Sequence, residues 1–212
     1  MNDKFFDELK EKVKFNFEKG GSHEFSHVER VYRLAIKIGK KEKADLDILK
    51  AAALLHDIAR GNEERGEIEC HAETGAEIAR KILERTDFPK EKIKSVANCI
   101  KIHRYKKNLK AETKEEKILQ DADRLDALGA ISIGRIFSYG GKHGRPLYNP
   151  LTPPKSYYAS NAKTSINHFY EKIFKIKPET FNTQSAKKIA KHRYNFVKGF
   201  VKEFLFEWEG KA

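Results

Sequence analysis

The run Ala51-Ala52-Ala53-Leu54-Leu55-His56-Asp57-Ile58-Ala59-Arg60 narrows the choices more than any other stretch of the chain. Five apolar residues in succession, without Gly or Pro, read as a core helix. That helix runs straight into a histidine and an aspartate. A neutral imidazole and a carboxylate withdrawn from water need partners, and a divalent cation satisfies both. Alone the pair is weak evidence, because His and Asp also hydrogen-bond to each other. It gains weight from His27 upstream and from Gln120-Asp121-Ala122-Asp123-Arg124-Leu125-Asp126 downstream, both on helical patterns.

The rest of the chain reads as helices in series. Phe5, Phe6, Leu9, Val13 and Phe17 fall at helical spacing, and Gly20-Gly21 ends that segment. A second helix, capped between Ser22 and Ser26, runs to about Lys43 with Val31, Leu34, Ala35 and Ile38 as its stripe. His27 lies four residues before Val31 and so shares that inward face. Asp45 caps a third helix that carries His56 and closes at Gly61. Successive helical residues point about 100° apart, so His56 and Asp57 meet one ion only from the edge of the buried face. Asn62 to Glu67 reads as a polar loop, a natural place for a lid.

His71 stands near the start of a fourth helix, on the stripe formed with Gly75, Ile78 and Leu83. Pro89 opens a fifth, in which Ile93, Val96 and Ile100 lead to His103. In a sixth, Glu115 to Gly129, Asp121 suits a solvated acidic face, whereas Asp123 lies on the side expected to be buried. Ala130 to Tyr139 continues as a short helix, and an irregular Gly/Pro-rich excursion follows over 140–154. Two aromatic helices finish the chain. Lys163–Phe174 has Ile166, Phe169, Tyr170 and Ile173 as its core, and Thr183–Trp208 packs through Ile189, Phe196, Phe200 and Leu205. The expected fold class is all-α, one domain over 1–212, with a metal-binding core at about 22–130 and a C-terminal loop and helices over about 131–212 packed on it.

Composition excludes some alternatives. With 14 Phe, 8 Tyr and 39% hydrophobic residues the chain is globular, and no window approaches the roughly 20 apolar residues of a membrane span. Cys70 and Cys99 form no CxxC and suit buried thiols in a reducing compartment. The acidic, amphipathic N-terminus is unlike a signal peptide. A soluble, cytoplasmic protein is the expectation. The net charge of +12 draws anions: nucleotides, nucleic acid or acidic surfaces. Interleaved Lys and Glu on solvated helix faces explain most of it, with Lys101–Lys110 the one stretch basic without acids nearby.

His27, His56, Asp57 and Asp123 make a mixed nitrogen and oxygen ligand set that leaves positions open for water and a substrate oxygen. No HExxH, P-loop or GxGxxG motif competes with it. This separated His…His-Asp…Asp set in a helical chain resembles the HD-domain metal-dependent phosphohydrolases. His71-Ala72-Glu73-Thr74-Gly75-Ala76, the run from Gln120 to Ala127, Thr164 through Lys172 and Thr183 through Arg193 extend the resemblance to the small stand-alone bacterial and archaeal branch, from about Ser22 to Gly210.

The resemblance implies an HD-type helical bundle with added C-terminal helices and metal binding by His27, His56, Asp57 and Asp123. His71 and His103 match positions that hold a second ion in two-metal relatives and that contact phosphate or shuttle a proton in one-metal relatives. One ion is favoured over two. Manganese is the first expectation, with iron, cobalt, nickel, zinc and magnesium as other fits. Some relatives carry an acid soon after the His-Asp pair to position the nucleophile. Here Arg60 stands in that neighbourhood, and Asp57 becomes a candidate general base. Arg124, Lys172 and Arg193 in the family-like segments, with Arg145 in the excursion, are candidates for gripping substrate phosphate. Asp126 is a candidate for orienting a ligand or binding a sugar hydroxyl.

The expected function is hydrolysis of nucleotides by metal-activated water, with nucleoside or deoxynucleoside triphosphates favoured and His71 or His103 assisting the leaving group. The alternatives are a phosphodiesterase or nucleotidase acting on cyclic nucleotides, monophosphates or alarmones, or a basic nucleic-acid-binding module with a structural metal. No membrane partner is expected.

Overall fold

The computed structural model describes residues 1–18, 25–104, 109–157 and 161–211. The expected stop at Gly20-Gly21, the cap at Ser22 and the middle of the basic stretch 101–110 lie outside the described residues. The described residues contain helices and no strand, so the chain is all-α. It divides into two compact units, Met1–Asp123 and Arg124–Ala212.

The first unit holds α1 (Asp3–Glu18), α2 (Phe25–Glu42), α3 (Leu46–Leu55), α4 (Arg60–Glu64), α5 (His71–Glu84), α6 (Lys90–Ile102) and most of α7 (Lys114–Asp126). Its centre is α3, where Ala51 through Leu55 have no exposed surface. Each leucine shielded in this way contributes about 2 kcal/mol through burial. Asp45 starts α3 by accepting from the amides of Asp47 at 2.9 Å and Ile48 at 3.2 Å. α3 packs against α2 and α6, and α5 packs against α6. The approach of α2 is close enough that a Cβ at Gly39 would run into Leu49 Cδ1.

Three expectations for this unit need correction. α3 stops at Leu55 rather than at Gly61, and 56–59 is a turn closed by the Ile58 amide on Leu55 O (3.1 Å) and the Arg60 amide on Asp57 O (2.9 Å). The polar stretch expected as a lid loop begins as α4, a single-turn helix. Its charged composition suits a solvent-side turn, and Arg60 Nε pairs with Glu64 Oε1 at 3.3 Å across i,i+4. Asp121, expected on a solvated face, is fully buried, whereas the Asp123 side chain is 28% exposed. The acidic run therefore turns Asp121 and Asp126 inward and leaves Asp123 at an edge.

The second unit comprises the end of α7, α8 (Ala130–Lys142), α9 (Ser165–Glu171), 3₁₀ turns at Ile173–Lys175 and Pro178–Thr180, and α10 (Gln184–Trp208). α8 runs three residues beyond Tyr139, through Gly140 and Gly141, so the irregular excursion starts later than expected. A Cβ at Gly140 would sit 2.5 Å from Ser165 Oγ, which explains a glycine inside a helix there. α10 buries Ala186, Ala190, Val197 and Val201, not the stripe of Ile189, Phe196, Phe200 and Leu205. Small residues take the tight seam, and the aromatics flank it: Phe200 and Phe204 lie 5.9 Å and 6.0 Å from Phe137. Tyr170 and Phe196, read as core, are exposed. Among the described residues no helix is long and apolar enough to cross a membrane.

Candidate metal centre

His56, which caps α3 with backbone angles still in the helical region, and Asp57, next in the turn 56–59, both reach one point. There His56 Nε2 lies 3.3 Å from His27 Nε2 and 3.7 Å from Asp57 Oδ2, and His27 Nε2 lies 3.7 Å from the same oxygen. Asp123 Oδ1 closes the group at 3.3 Å from His27 Nε2.

The other oxygen of Asp57 faces a second group. Oδ1 lies 3.2 Å from His71 Nε2 and 3.5 Å from His103 Nε2, and these two ring nitrogens are 3.3 Å apart. His27, His56 and Asp57 could hold a cation, and so could Asp57, His71 and His103. Asp57 thus stands between two donor sets with one carboxylate oxygen toward each.

The outward bonds of the rings fix what the inward atoms are. His56 Nδ1 donates to Ala53 O at 2.9 Å, His103 Nδ1 donates to Ile100 O at 2.6 Å, and His71 Nδ1 is bonded to Glu63 Oε2. A neutral imidazole that donates from Nδ1 carries a lone pair on Nε2. Three Nε2 lone pairs and a carboxylate therefore converge in a nearly dry space. The side chains of His56, His71 and His103 are at most 3% exposed, and Asp57 is 7% exposed. Acceptors this close repel one another unless a proton or cation lies between them, and the donor set is the one divalent transition metals take. The residues present fit the metal.

Electrostatics agree with that arrangement at His56, Asp57 and Asp123, while at His103 they favour a proton between the acceptors. Burial pushes the imidazolium of His56 down to about 4, so its ring is neutral near pH 7. Burial alone would raise Asp57, but the surrounding imidazoles, His56 foremost, hold its carboxyl well below the usual range. Asp123 is likewise held down against burial by its bond to His27. Burial works to lower His103, and its hydrogen bond to Asp57 overcomes that and raises it. As the most exposed of the six side chains, Asp123 marks the side from which solvent reaches the cluster.

All six predicted ligands come together in the first unit. The predicted phosphate contacts belong to the second, each with its own local bonds. Arg124 donates to Thr180 O (2.9 Å) and Thr180 Oγ1 (2.6 Å) and lies over the Phe181 ring, and Arg193 donates to Leu125 O at 2.6 Å. Arg145 lies over the Tyr139 ring, Lys172 follows α9 as its C-cap, and Asp126 accepts from Arg135 at 2.9 Å. Sequence reasoning noted Glu63 only as an acid in the loop after the His-Asp pair and Arg104 only in a basic segment, whereas Glu63 bonds both to Arg104 and to His71. Glu63 stood in the supposed lid, and its contact with Arg104 spans 41 residues, beyond any local pattern.

A helical unit that draws four histidines and two aspartates to one buried point is built as a metal-dependent hydrolase. The HD domain family pattern matches residues 25–128, which include all six side chains. The chain is 32% identical over 192 residues to the uncharacterized protein YpgQ of Bacillus subtilis strain 168, covering 88% of this chain and 84% of YpgQ. A crystal structure of an HD-superfamily hydrolase from Bacillus thuringiensis superposes with a TM-score of 0.80 at 36% identity, covering 98% of each chain. The crystal structure of B. subtilis YpgQ in complex with ADP superposes with a TM-score of 0.72, at 26% identity in that superposition, covering 98% of this chain and 100% of the other. The chain belongs to the HD-domain family of metal-dependent hydrolases.

Proposed function

We propose that this protein hydrolyses a phosphoanhydride or phosphoester bond of nucleotides, with nucleoside and deoxynucleoside triphosphates as preferred substrates and manganese as the working metal. The observation that carries the reading is the placement of Asp57, with Oδ2 toward His27 and His56 and Oδ1 toward His71 and His103. That placement moves the reading from one cation to two. His27, His56, Asp57 and Asp123 would hold the first, and Asp57, His71 and His103 would hold the second. Bound cations supply Lewis acidity toward a phosphoryl oxygen and lower the proton affinity of the attacking water.

The chain's own residues do the rest. With both oxygens engaged, Asp57 is the shared ligand, which leaves it poorly placed as the general base. His56 and His71 present Nε2 lone pairs, because their Nδ1 protons are committed outward to Ala53 O and Glu63. His103 has the same outward bond to Ile100 O, so its Nε2 is presented to the second group in the same way. The buried helices exclude water from all but the Asp123 side. The ADP bound to the related YpgQ and the net charge of +12 support a nucleotide as the substrate class. The buried thiols of Cys70 and Cys99 support a cytoplasmic location.

The test is to strip the purified protein of metal and re-add Mn, Mg, Co, Ni, Fe and Zn separately. Each form is given nucleoside mono-, di- and triphosphates, cyclic nucleotides and a generic phosphodiester, and the products are resolved by chromatography. Metal-dependent release of pyrophosphate or phosphate from triphosphates, highest with manganese, is the expected result. Silence on every nucleotide with metal bound would overturn the reading.

A further inference from the structure

The three imidazoles whose outward bonds fix their tautomer are not held alike. His56 and His103 stand at the C-terminal ends of α3 and α6, where each Nδ1 donates to the carbonyl three residues back in its own helix. His71 is the first residue of α5 and follows Cys70, its N-cap, so no preceding helical turn offers it a carbonyl. Its partner comes from α4 instead: Glu63 Oε2 takes the Nδ1 proton. The other oxygen of Glu63 accepts from Arg104 Nη1 at 2.8 Å, and Arg60 Nη1 lies 4.0 Å from Oε2.

A carboxylate on Nδ1 does more than a carbonyl does. It fixes the tautomer, orients the ring and makes Nε2 a stronger donor to a cation. Arg104 also adjoins His103 in sequence, and it touches Cys70 Sγ at 3.6 Å, next to His71. The Glu63–Arg104 pair therefore braces His71, its bonds running to His71 itself and to Cys70 beside it, from a residue that directly follows His103.

We propose that Glu63, backed by Arg104, is the positioning residue that gives the Asp57–His71–His103 group its affinity for a cation and leaves the His27–His56–Asp57–Asp123 group unaffected. This rests on the two-cation reading above. At 21% and 19% exposure, the Glu63 and Arg104 side chains lie outside the fully buried core.

The test titrates metal-free protein with manganese(II) alone by calorimetry, with electron paramagnetic resonance of the bound metal as a second readout. Wild type, Glu63→Ala, Glu63→Gln and Arg104→Met are compared, with thermal melts to establish folding. Wild type should take two equivalents and show the spin-coupled signal of paired ions. Glu63→Ala should keep the first equivalent within about twofold, bind the second about 10–100-fold more weakly and lose the coupled signal. Glu63→Gln keeps an acceptor for Nδ1 without the charge and should lose less. Arg104→Met should weaken the second equivalent only, and it decides the question in the same way if Glu63→Ala does not fold. Two equivalents at wild-type affinity in Glu63→Ala, or equal weakening of both, would overturn the role of Glu63 while the two-cation reading stands. A single equivalent in wild type would overturn both, and it is seen before any variant is made.

Discussion

Residues 1–123 and 124–212 both bury polar side chains that hold backbone, Glu116 and Gln120 in the first among them, but the first unit also turns a set of them on one another. In the second unit several of them hold backbone. Asn167 Nδ2 donates to Thr152 O at 3.0 Å, Glu171 Oε1 accepts from the Lys155 amide at 3.0 Å, and Arg124 grips Thr180. These bonds fasten irregular segments that make few bonds among themselves. In the first unit, Nε2 of His56, His71 and His103 and both oxygens of Asp57 face one another. A buried donor that satisfies a carbonyl needs no ligand, whereas acceptors that converge on one another do. The contrast separates structural from functional polarity without reference to residue type.

The largest expected break in this contrast comes at Asp57. Asp57→Asn removes the charge shared by both donor groups, so manganese uptake should fall at both, and turnover should drop on the order of a thousandfold. Metal analysis and steady-state rates check it. The next effect belongs to the second unit and needs no metal. Burial, with Lys172 and Arg145 adding to it, pushes His168 from 6.5 down to about 4. Between those values the unfolded chain binds a proton that the folded one refuses, so stability is present above about 6.5 and is lost as pH falls toward 4. His168→Gln should flatten that part of the profile by up to about 3 kcal/mol in denaturant titrations across pH.

Asn167→Ala, which strands the Thr152 carbonyl, should cost about 2 kcal/mol and leave manganese affinity unchanged. Changed metal binding there would erase the contrast. The smallest effect is Thr183→Ala, which removes the N-cap of α10, where Thr183 Oγ1 accepts from the Ala186 amide at 3.2 Å. It should cost about 1 kcal/mol by chemical denaturation.

The helices were legible in the sequence wherever a period of 3.6 carried them, as in α2, where Val31, Leu34, Ala35 and Ile38 are all buried. The six proposed ligands were legible partly because His and Asp on apolar stripes are costly to bury unless a cation or a proton satisfies them, and partly through the family resemblance, on which the roles of His71 and His103 rested. What the pattern did not carry was decided by tertiary contact. α10 buries its small residues because a close seam favours volume over hydrophobicity. Asp121 and Asp123 exchanged expected environments, since two residues two apart on a helix cannot be ranked by periodicity when apolar neighbours flank both. Glu63 was hidden because its role needs α4, α5 and α6 together.

The central claim is that the buried acceptors around Asp57 exist to hold cations. Crystals of the protein soaked in manganese, measured at the manganese absorption edge, test it most directly. Anomalous density on both sides of Asp57, one peak toward His27, His56 and Asp123 and one toward His71 and His103, is the expected result. A map without density at Asp57, from crystals that bind manganese elsewhere or not at all, would contradict it.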